Sequence, residues 1–161
     1  MKTRYASTIG EFTLEASEGQ LIALAFDEVE EDIASTREDA LVLDETKRQL
    51  DAYFAKRTMT FTLPLAPRGT AFQAQVWRAL CAIPSGETKS YGAIAAGLGK
   101  PSASRAVGSA NHVNPIAVII PCHRVIGSTG KLVGYAGGLH RKAWLLAHER
   151  PAEKQLDLVS I

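Results

Sequence analysis

The segment that most limits how this chain can fold is the apolar run Ile116-Ala117-Val118-Ile119-Ile120, which leads without interruption into Pro121-Cys122-His123-Arg124-Val125. A run of that length beside a proline reads as a buried segment that delivers its last residues to an edge or a pocket. Cys122 is what it delivers. A thiol becomes a strong nucleophile as its thiolate, and a neighbouring imidazole, an arginine or a helix N-terminus is the usual means of lowering its pKa from about 8.5. His123 and Arg124 are both at hand. Many free cysteines merely pack. Cys81, inside an apolar helical pattern, fits that description, whereas Cys122, followed by two polar side chains at the mouth of the run, fits it poorly. Consecutive residues of a regular strand point to opposite faces, so Cys122 and His123 can meet only where the backbone bends, and Pro121 makes such a bend plausible.

With 161 residues, 46% of them hydrophobic, the chain can bury a core as one compact domain or two small ones. Two cysteines and no secretory or transmembrane segment lead to the expectation of a soluble, cytoplasmic protein, for which a Cys81–Cys122 disulfide is unneeded. A formal net charge of +1 hides an asymmetry: residues 1–67 hold 7 Lys+Arg against 13 Asp+Glu, a net of −6, and residues 68–161 hold 11 against 4, a net of +7. The second half could face a polyanion.

Residues 4–8, 11–16 and 21–26 read as short strands separated by turns at Ile9-Gly10 and Glu18-Gly19, an antiparallel meander. The acidic stretch from Asp27 to Asp32 reads as a solvated loop. Over residues 43–57, Leu50, Tyr53 and Phe54 recur at helical spacing, and residues 58–65 return to strand alternation, ending at Pro64 and Pro67. These elements predict an acidic α+β domain over residues 1–67 and a second domain over 68–161. In the second, Thr70 caps a helix whose apolar face holds Phe72, Val76, Trp77 and Leu80, stopped by Pro84-Ser85-Gly86, with Trp77 in the core. Residues 91–98 and 102–111 form two short helices across Gly99-Lys100-Pro101, the second opened by Ser102 as a cap, which is a helix-turn-helix pattern. Glycines at 127 to 130 and 134 to 138 bracket a short hairpin or a glycine-rich loop, without the spacing of a phosphate-binding fingerprint. Residues 139–149 form a last helix with Trp144, Leu145 and Leu146, followed by a surface tail to Ile161. His112, His140 and His148 lack metal-ligand spacing with the cysteines and read as surface or interface residues.

The helix over 102–111 is mostly Ala, Ser and Gly, with Arg105 as its one arginine. A helix that reads base edges in the major groove presents long polar side chains. Small residues instead suit close approach to the minor groove, with Arg105 wedged into the base stack. A tightly packed internal helix with Arg105 on its wet side accounts for the same residues equally well.

Taken together, Tyr91-Gly92, Arg105-Ala106-Val107-Gly108, Asn114-Pro115, Pro121-Cys122-His123-Arg124-Val125, Gly134-Tyr135-Ala136-Gly137-Gly138 and Leu145-Leu146-Ala147-His148-Glu149 resemble, in order and spacing over residues 69–150, the O6-alkylguanine-DNA alkyltransferases. The N-terminal residues resemble that family's ribonuclease-H-like domain. The resemblance implies an α+β fold, with an N-terminal ribonuclease-H-like antiparallel sheet and helix, then a mainly helical domain carrying the helix-turn-helix and the active-site cysteine loop. It implies direct-reversal DNA repair in which the protein is consumed. Cys122 would attack the alkyl carbon on guanine O6 in duplex DNA, with O4-alkylthymine a further candidate, and keep the alkyl group as a stable thioether. His123 would take the thiol proton through a water and Glu149 would orient His123, the logic of nucleophile, base and orienting carboxylate. Asn114 would tie the helix-turn-helix to the cysteine loop.

The nucleotide would have to be flipped out of the duplex. By the same resemblance Arg105 would fill the gap in the stack, Ser104, Ala106 and Gly108 would lie along the DNA, and Tyr91 would crowd the rotating phosphate and donate to the base. The main-chain carbonyls of Cys122 and Val125 would accept from the guanine amino group, the Ala136 amide would donate to O6, and Tyr135 would line the pocket. No cofactor and no metal are implied. The partner is double-stranded DNA containing O6-alkylguanine, not a membrane, and the protein is expected to be a monomer for which cooperative assembly along DNA stays open. Departures from the family pattern are His112 and Val113, where many relatives carry a glycine and a polar or basic residue, and Ala136 in place of a serine of some members. Gly137 leaves room for alkyl groups larger than methyl. A plain helix-turn-helix regulator and a cysteine hydrolase are the competing classes; the first has no need of a Cys-His pair, and the second would turn over repeatedly.

Overall fold

The computed structural model describes residues 1–26, 30–32 and 36–151. The expected Asp27 to Asp32 loop falls partly, and the tail from 152 onward wholly, outside the described residues. The fold is α+β, and the chain divides into two units, Met1–Gly69 with Pro115–Ile119, and Thr70–Asn114 with Ile120–Ile161. Part of the apolar run thus belongs with the N-terminal elements, a return that a linear division after residue 67 does not contain.

In the first unit β1 (Lys2–Ser7), β2 (Gly10–Ser17) and β3 (Gln20–Ala25) form an antiparallel sheet in chain order, with Tyr5 opposite Phe12 and Leu14 opposite Leu24. Alternation along β2 buries Phe12, Leu14 and Ala16, and α1 (Arg37–Phe54) buries Leu43, Leu50 and Tyr53. Each such large apolar side chain contributes about 1.5–3 kcal/mol on burial. The helix starts earlier than the apolar periodicity predicts because Thr36 caps it, accepting from Asp39 N at 3.2 Å, with acidic residues in the first turn. The expected strand over 58–65 is not one. Gln49 of α1 occupies the place of a neighbouring strand, accepting from Thr62 N at 2.9 Å and donating to Thr62 O at 3.1 Å. Only a bridge at Leu65 reaches the sheet, through Leu21 N to Pro64 O at 2.8 Å and Ala66 N to Leu21 O at 2.9 Å. Segment 115–117 borders β3 in the same way, with Leu24 N donating to Pro115 O at 2.9 Å and Ala117 N to Leu24 O at 3.0 Å.

The second unit opens with α2 (Ala71–Cys81), held by a reciprocal cap between Thr70 and Gln73. A short parallel pair, β4 (Lys89–Ser90) with β5 (Val125–Ile126), was not visible in the periodicity. The helices α3 (Tyr91–Gly97) and α4 (Ser104–His112) make the helix-turn-helix, both α2 and α3 pack on α4, and α5 (Leu139–Glu149) follows. Trp77 is core, its Nε1 donating to Ala110 O at 2.9 Å. The second helix begins at Ser104 and not at Ser102, and no side chain caps it, because Ala103 N donates to Lys100 O at 2.9 Å and spends residues 100–103 on a turn. Residues 127–138 are a loop with turns closed by Gly127 N to Lys131 O and Gly138 N to Tyr135 O, both at 2.9 Å.

Two expectations are corrected here. Cys81 is exposed, because the buried face of α2 is Val76, Trp77 and Leu80, and the next residue points about 100° away. His148 is buried, stacked at 4.7 Å on Trp144 one helical turn earlier, whereas His112 and His140 are exposed. Both cysteines are free.

Candidate active site

Two tight turns carry the chain to Cys122. Around Val118, Ile119 N donates to Ala117 O at 2.8 Å, and the φ of 69° puts a β-branched residue in the left-handed region, a strained γ-turn. Around Pro121, at φ −81° and ψ 65°, Cys122 N donates to Ile120 O at 2.7 Å, an inverse γ-turn whose φ proline supplies. Cys122–Arg124 then form one 3-10 turn, closed by Arg124 N to Pro121 O at 3.0 Å. With three residues per turn, successive side chains leave in three directions instead of alternating between two faces. This is the bend the sequence required, and Cys122, His123 and Arg124 are all buried.

Behind the turn lies a charged cluster held by α5. His123 Nε2 stands 2.9 Å from Glu149 Oε1, and Arg124 grips the same carboxylate through Nε to Oε1 at 2.9 Å and Nη2 to Oε2 at 2.8 Å. Arg124 Nη1 also donates to Ile83 O at 2.7 Å. For Glu149 burial works upward, but hydrogen bonds from Arg124 and His123 and their charges hold the carboxyl at about 2. An ionised carboxylate can only accept, which assigns the proton to His123 Nε2 and the lone pair to Nδ1. Nδ1 is buried with no hydrogen-bond partner among the described protein atoms.

Burial pushes the Cys122 thiol up to about 11, against a hydrogen bond from Asn114, the charge of Lys142 and the main-chain amides of Cys122 and His123. In the resting thiol desolvation outweighs these neighbours. Burial also lowers the His123 imidazole below its ordinary range, with Glu149 pulling upward and Arg124 and Lys142 adding to the fall. At neutral pH the resting site therefore holds a protonated thiol, a neutral imidazole and an ionised carboxylate. A proton can pass from the first to the second without creating net charge.

Asn114 Nδ2 donates to Ile120 O at 2.8 Å and its amide also reaches the thiol, so one side chain grips the inverse γ-turn from both ends. Asn111, missed in the sequence, donates through Nδ2 to Cys122 O at 3.3 Å from the buried face of α4. A polar amide one turn past buried Val107 was the available signal. Lys142 was also missed: it is fully buried and donates to Val125 O at 2.6 Å and Val133 O at 2.8 Å.

Tyr91 starts α3 and donates to Val133 O at 3.3 Å; burial and the nearby Cys122 raise its hydroxyl. A Cβ on Gly108 would lie 3.8 Å from the Tyr91 ring, so these two predicted residues are neighbours. Tyr135 is raised well above its ordinary range by burial, with Cys122 contributing. Val125 is fully buried and Ala136 is exposed in the loop. On α4, Arg105 and Ala106 are exposed and Ser104 is half-buried, with Arg105 on the face opposite Val107, Ala110 and Asn111.

Residues 71–151 match the family model described as the 6-O-methylguanine DNA methyltransferase DNA binding domain, and residues 1–67 match its ribonuclease-like domain. The chain is 62% identical over 105 residues to a methylated-DNA--protein-cysteine methyltransferase of Methanosarcina barkeri, an alignment covering 65% of this chain and 66% of that protein. A protein of the same name from Mycolicibacterium paratuberculosis is 61% identical over 102 residues, 63% of this chain and 62% of its own length. The chain thus spans a little under two thirds of these curated relatives. The crystal structure of Mycobacterium tuberculosis OGT in complex with DNA superposes with a TM-score of 0.80 at 47% identity, covering 95% of this chain and 96% of that one. With both domain models matched in order around a cysteine that sits beside a histidine and its carboxylate, this chain belongs to the 6-O-methylguanine DNA methyltransferase family.

Proposed function

We propose that the protein repairs O6-alkylguanine in duplex DNA by irreversible transfer of the alkyl group to Cys122. The observation that carries this reading is the buried Cys122 thiol on a turn whose next residue, His123, has an unpartnered Nδ1 and an Nε2 held 2.9 Å from Glu149. The thiol proton passes to His123, through a water as in the family. Sγ forms a bond to the alkyl carbon as the C–O6 bond breaks, and the electrons of that bond leave on the purine, which is reprotonated. Glu149 stabilises the imidazolium so formed. The product thioether has no hydrolytic exit, so one protein repairs one lesion and no cofactor is required.

Asn114 is assigned to hold the cysteine turn. Tyr91, Val125, Tyr135 and Ala136 form the base pocket, and Arg105, Ser104, Ala106 and Gly108 face the DNA. The Cys122 carbonyl accepts from Asn111 Nδ2 and from Val125 N, and the Val125 carbonyl accepts from Lys142, so the guanine amino group would share or displace these donors. The reading places catalysis in residues 68–161, leaves 1–67 as the ribonuclease-like domain, and takes the protein as a cytoplasmic monomer. No described helix is long and apolar enough to cross a membrane.

Intact-protein mass spectrometry after incubation with an O6-methylguanine duplex tests the reading. The expected result is a single added methyl, mapped to Cys122 and saturating at one per protein. An unmodified Cys122 in folded protein that still binds the duplex would replace this proposal with a damage sensor or a regulator.

A further inference from the structure

Asn111 lies on the buried face of α4, one turn beyond Val107, and is 5% exposed. The Cys122 carbonyl can only accept, so the end of the amide that meets it at 3.3 Å is Nδ2. The amide also reaches the Tyr91 hydroxyl, whose own hydrogen goes to Val133 O at 3.3 Å. Both groups that Nδ2 meets are therefore ones assigned to the flipped base. The other end of the amide is empty: Asn111 Oδ1 is buried with no hydrogen-bond partner among the described protein atoms. A buried acceptor without a donor carries its full desolvation cost, and such an atom in a native site calls for a ligand or a chemical use. His123 Nδ1, also buried and unpartnered, has its use in the thiol proton. Asn111 Oδ1 has none yet.

An O6-alkylated guanine has few donors to offer. Alkylation at O6 takes the hydrogen from N1, and N9 is bonded to the sugar, so the 2-amino group holds the only N–H bonds of the lesion base. The main-chain acceptors assigned to that group are already in use, the Cys122 carbonyl with Asn111 Nδ2 and Val125 N, and the Val125 carbonyl with Lys142 Nζ at 2.6 Å. We infer that Asn111 is a specificity-determining residue of the base pocket: Oδ1 accepts one hydrogen of the guanine 2-amino group, and Nδ2 shares the Cys122 carbonyl with the other. The side chain thus selects a base with an exocyclic amine at C2, because a lesion without one leaves Oδ1 unpaired in a closed pocket. The inference rests on Cys122 being the alkyl acceptor and on the base entering beside Tyr91.

The test compares single-turnover methyl transfer, read by mass at Cys122, from matched duplexes carrying O6-methylguanine or O6-methylhypoxanthine, the same lesion without the 2-amino group. The parent should favour the guanine lesion by roughly tenfold or more, the worth of one hydrogen bond to a buried acceptor. Asn111→Leu keeps bulk without polar atoms and should narrow that ratio by about tenfold, whatever common change the lost hold on the Cys122 carbonyl brings to both rates. A ratio unchanged from the parent, with both lesions slowed alike, is what a purely structural role predicts and overturns the proposal, as does a parent that does not discriminate. Should the Leu variant fail to fold, the Asn111 side-chain amide resonance in Cys122→Ser protein decides. It should move further on binding the guanine duplex than the hypoxanthine one, and an identical response to both counts against the assignment. A parent that takes methyl from neither duplex is a separate outcome, which removes the alkyl-transfer reading and the inference with it.

Discussion

The Glu149 carboxylate is where the catalytic reading and the stability of the second unit meet. It is shared by His123 and a bidentate Arg124, with almost no exposure. Glu149→Gln leaves the Arg124 guanidinium buried without its counter-charge, and breaking a buried pair on one side costs about 3–5 kcal/mol. Urea unfolding should show a loss in that range, and transfer by the folded fraction should slow because the imidazolium loses its partner. Methyl transfer should hold steady at neutral pH and fall as pH drops below 6.5 through the lowered His123 pKa, because protonation removes the base. Single-turnover rates across pH check this, and a rate that rises in acid would remove His123 from the base role. Cys122 itself shows what pattern alone leaves out. The neighbours were legible as activators, yet how far desolvation raises the thiol depends on packing from other segments, which local sequence does not record.

At the scale of elements, the helices make separable predictions. Thr70→Ala removes the reciprocal cap of α2 and should cost about 1 kcal/mol in urea unfolding. Arg105→Ala, at an exposed position on α4, should change stability by less than about 0.5 kcal/mol while weakening lesion capture and slowing transfer. Normal repair by that variant would end its assignment as the intercalating residue. Helix identity was readable from 3.6-residue periodicity in α1, α2 and α5. Their ends depended on capping, and there the reading slipped: Thr36 started α1 early and the turn at Lys100 started α4 late. The supposed strand at 58–65 shows a stronger limit, since the Gln49 side chain takes the hydrogen bonds a neighbouring strand would have made.

For the molecule as a whole, acid is the expected route to unfolding. The Glu149 carboxyl lies at about 2 when folded against 4.5 when exposed, so its contribution is complete above 4.5 and is lost as pH falls through 2. His123 acts in the same direction. Its folded pKa lies below 6.5, so on acidification the unfolded chain binds that proton first and stability declines from about 6.5 downward. Thermal unfolding followed from pH 7 to 3 should show a steady fall in Tm, with a shallower slope in Glu149→Gln. The linear order of residues determined the α+β class, the helix-turn-helix, the core position of Trp77, and the motif Pro121-Cys122-His123-Arg124-Val125 with Glu149 downstream, because periodicity and motif spacing are local or collinear. Only the tertiary structure decided that residues 115–117 border β3, that Asn111 holds the Cys122 carbonyl, that Lys142 is fully buried on three carbonyls, and that burial pushes the Cys122 thiol upward. Each of these depends on what distant segments exclude water from, and burial sets both the cost of a charge and the partner it must find.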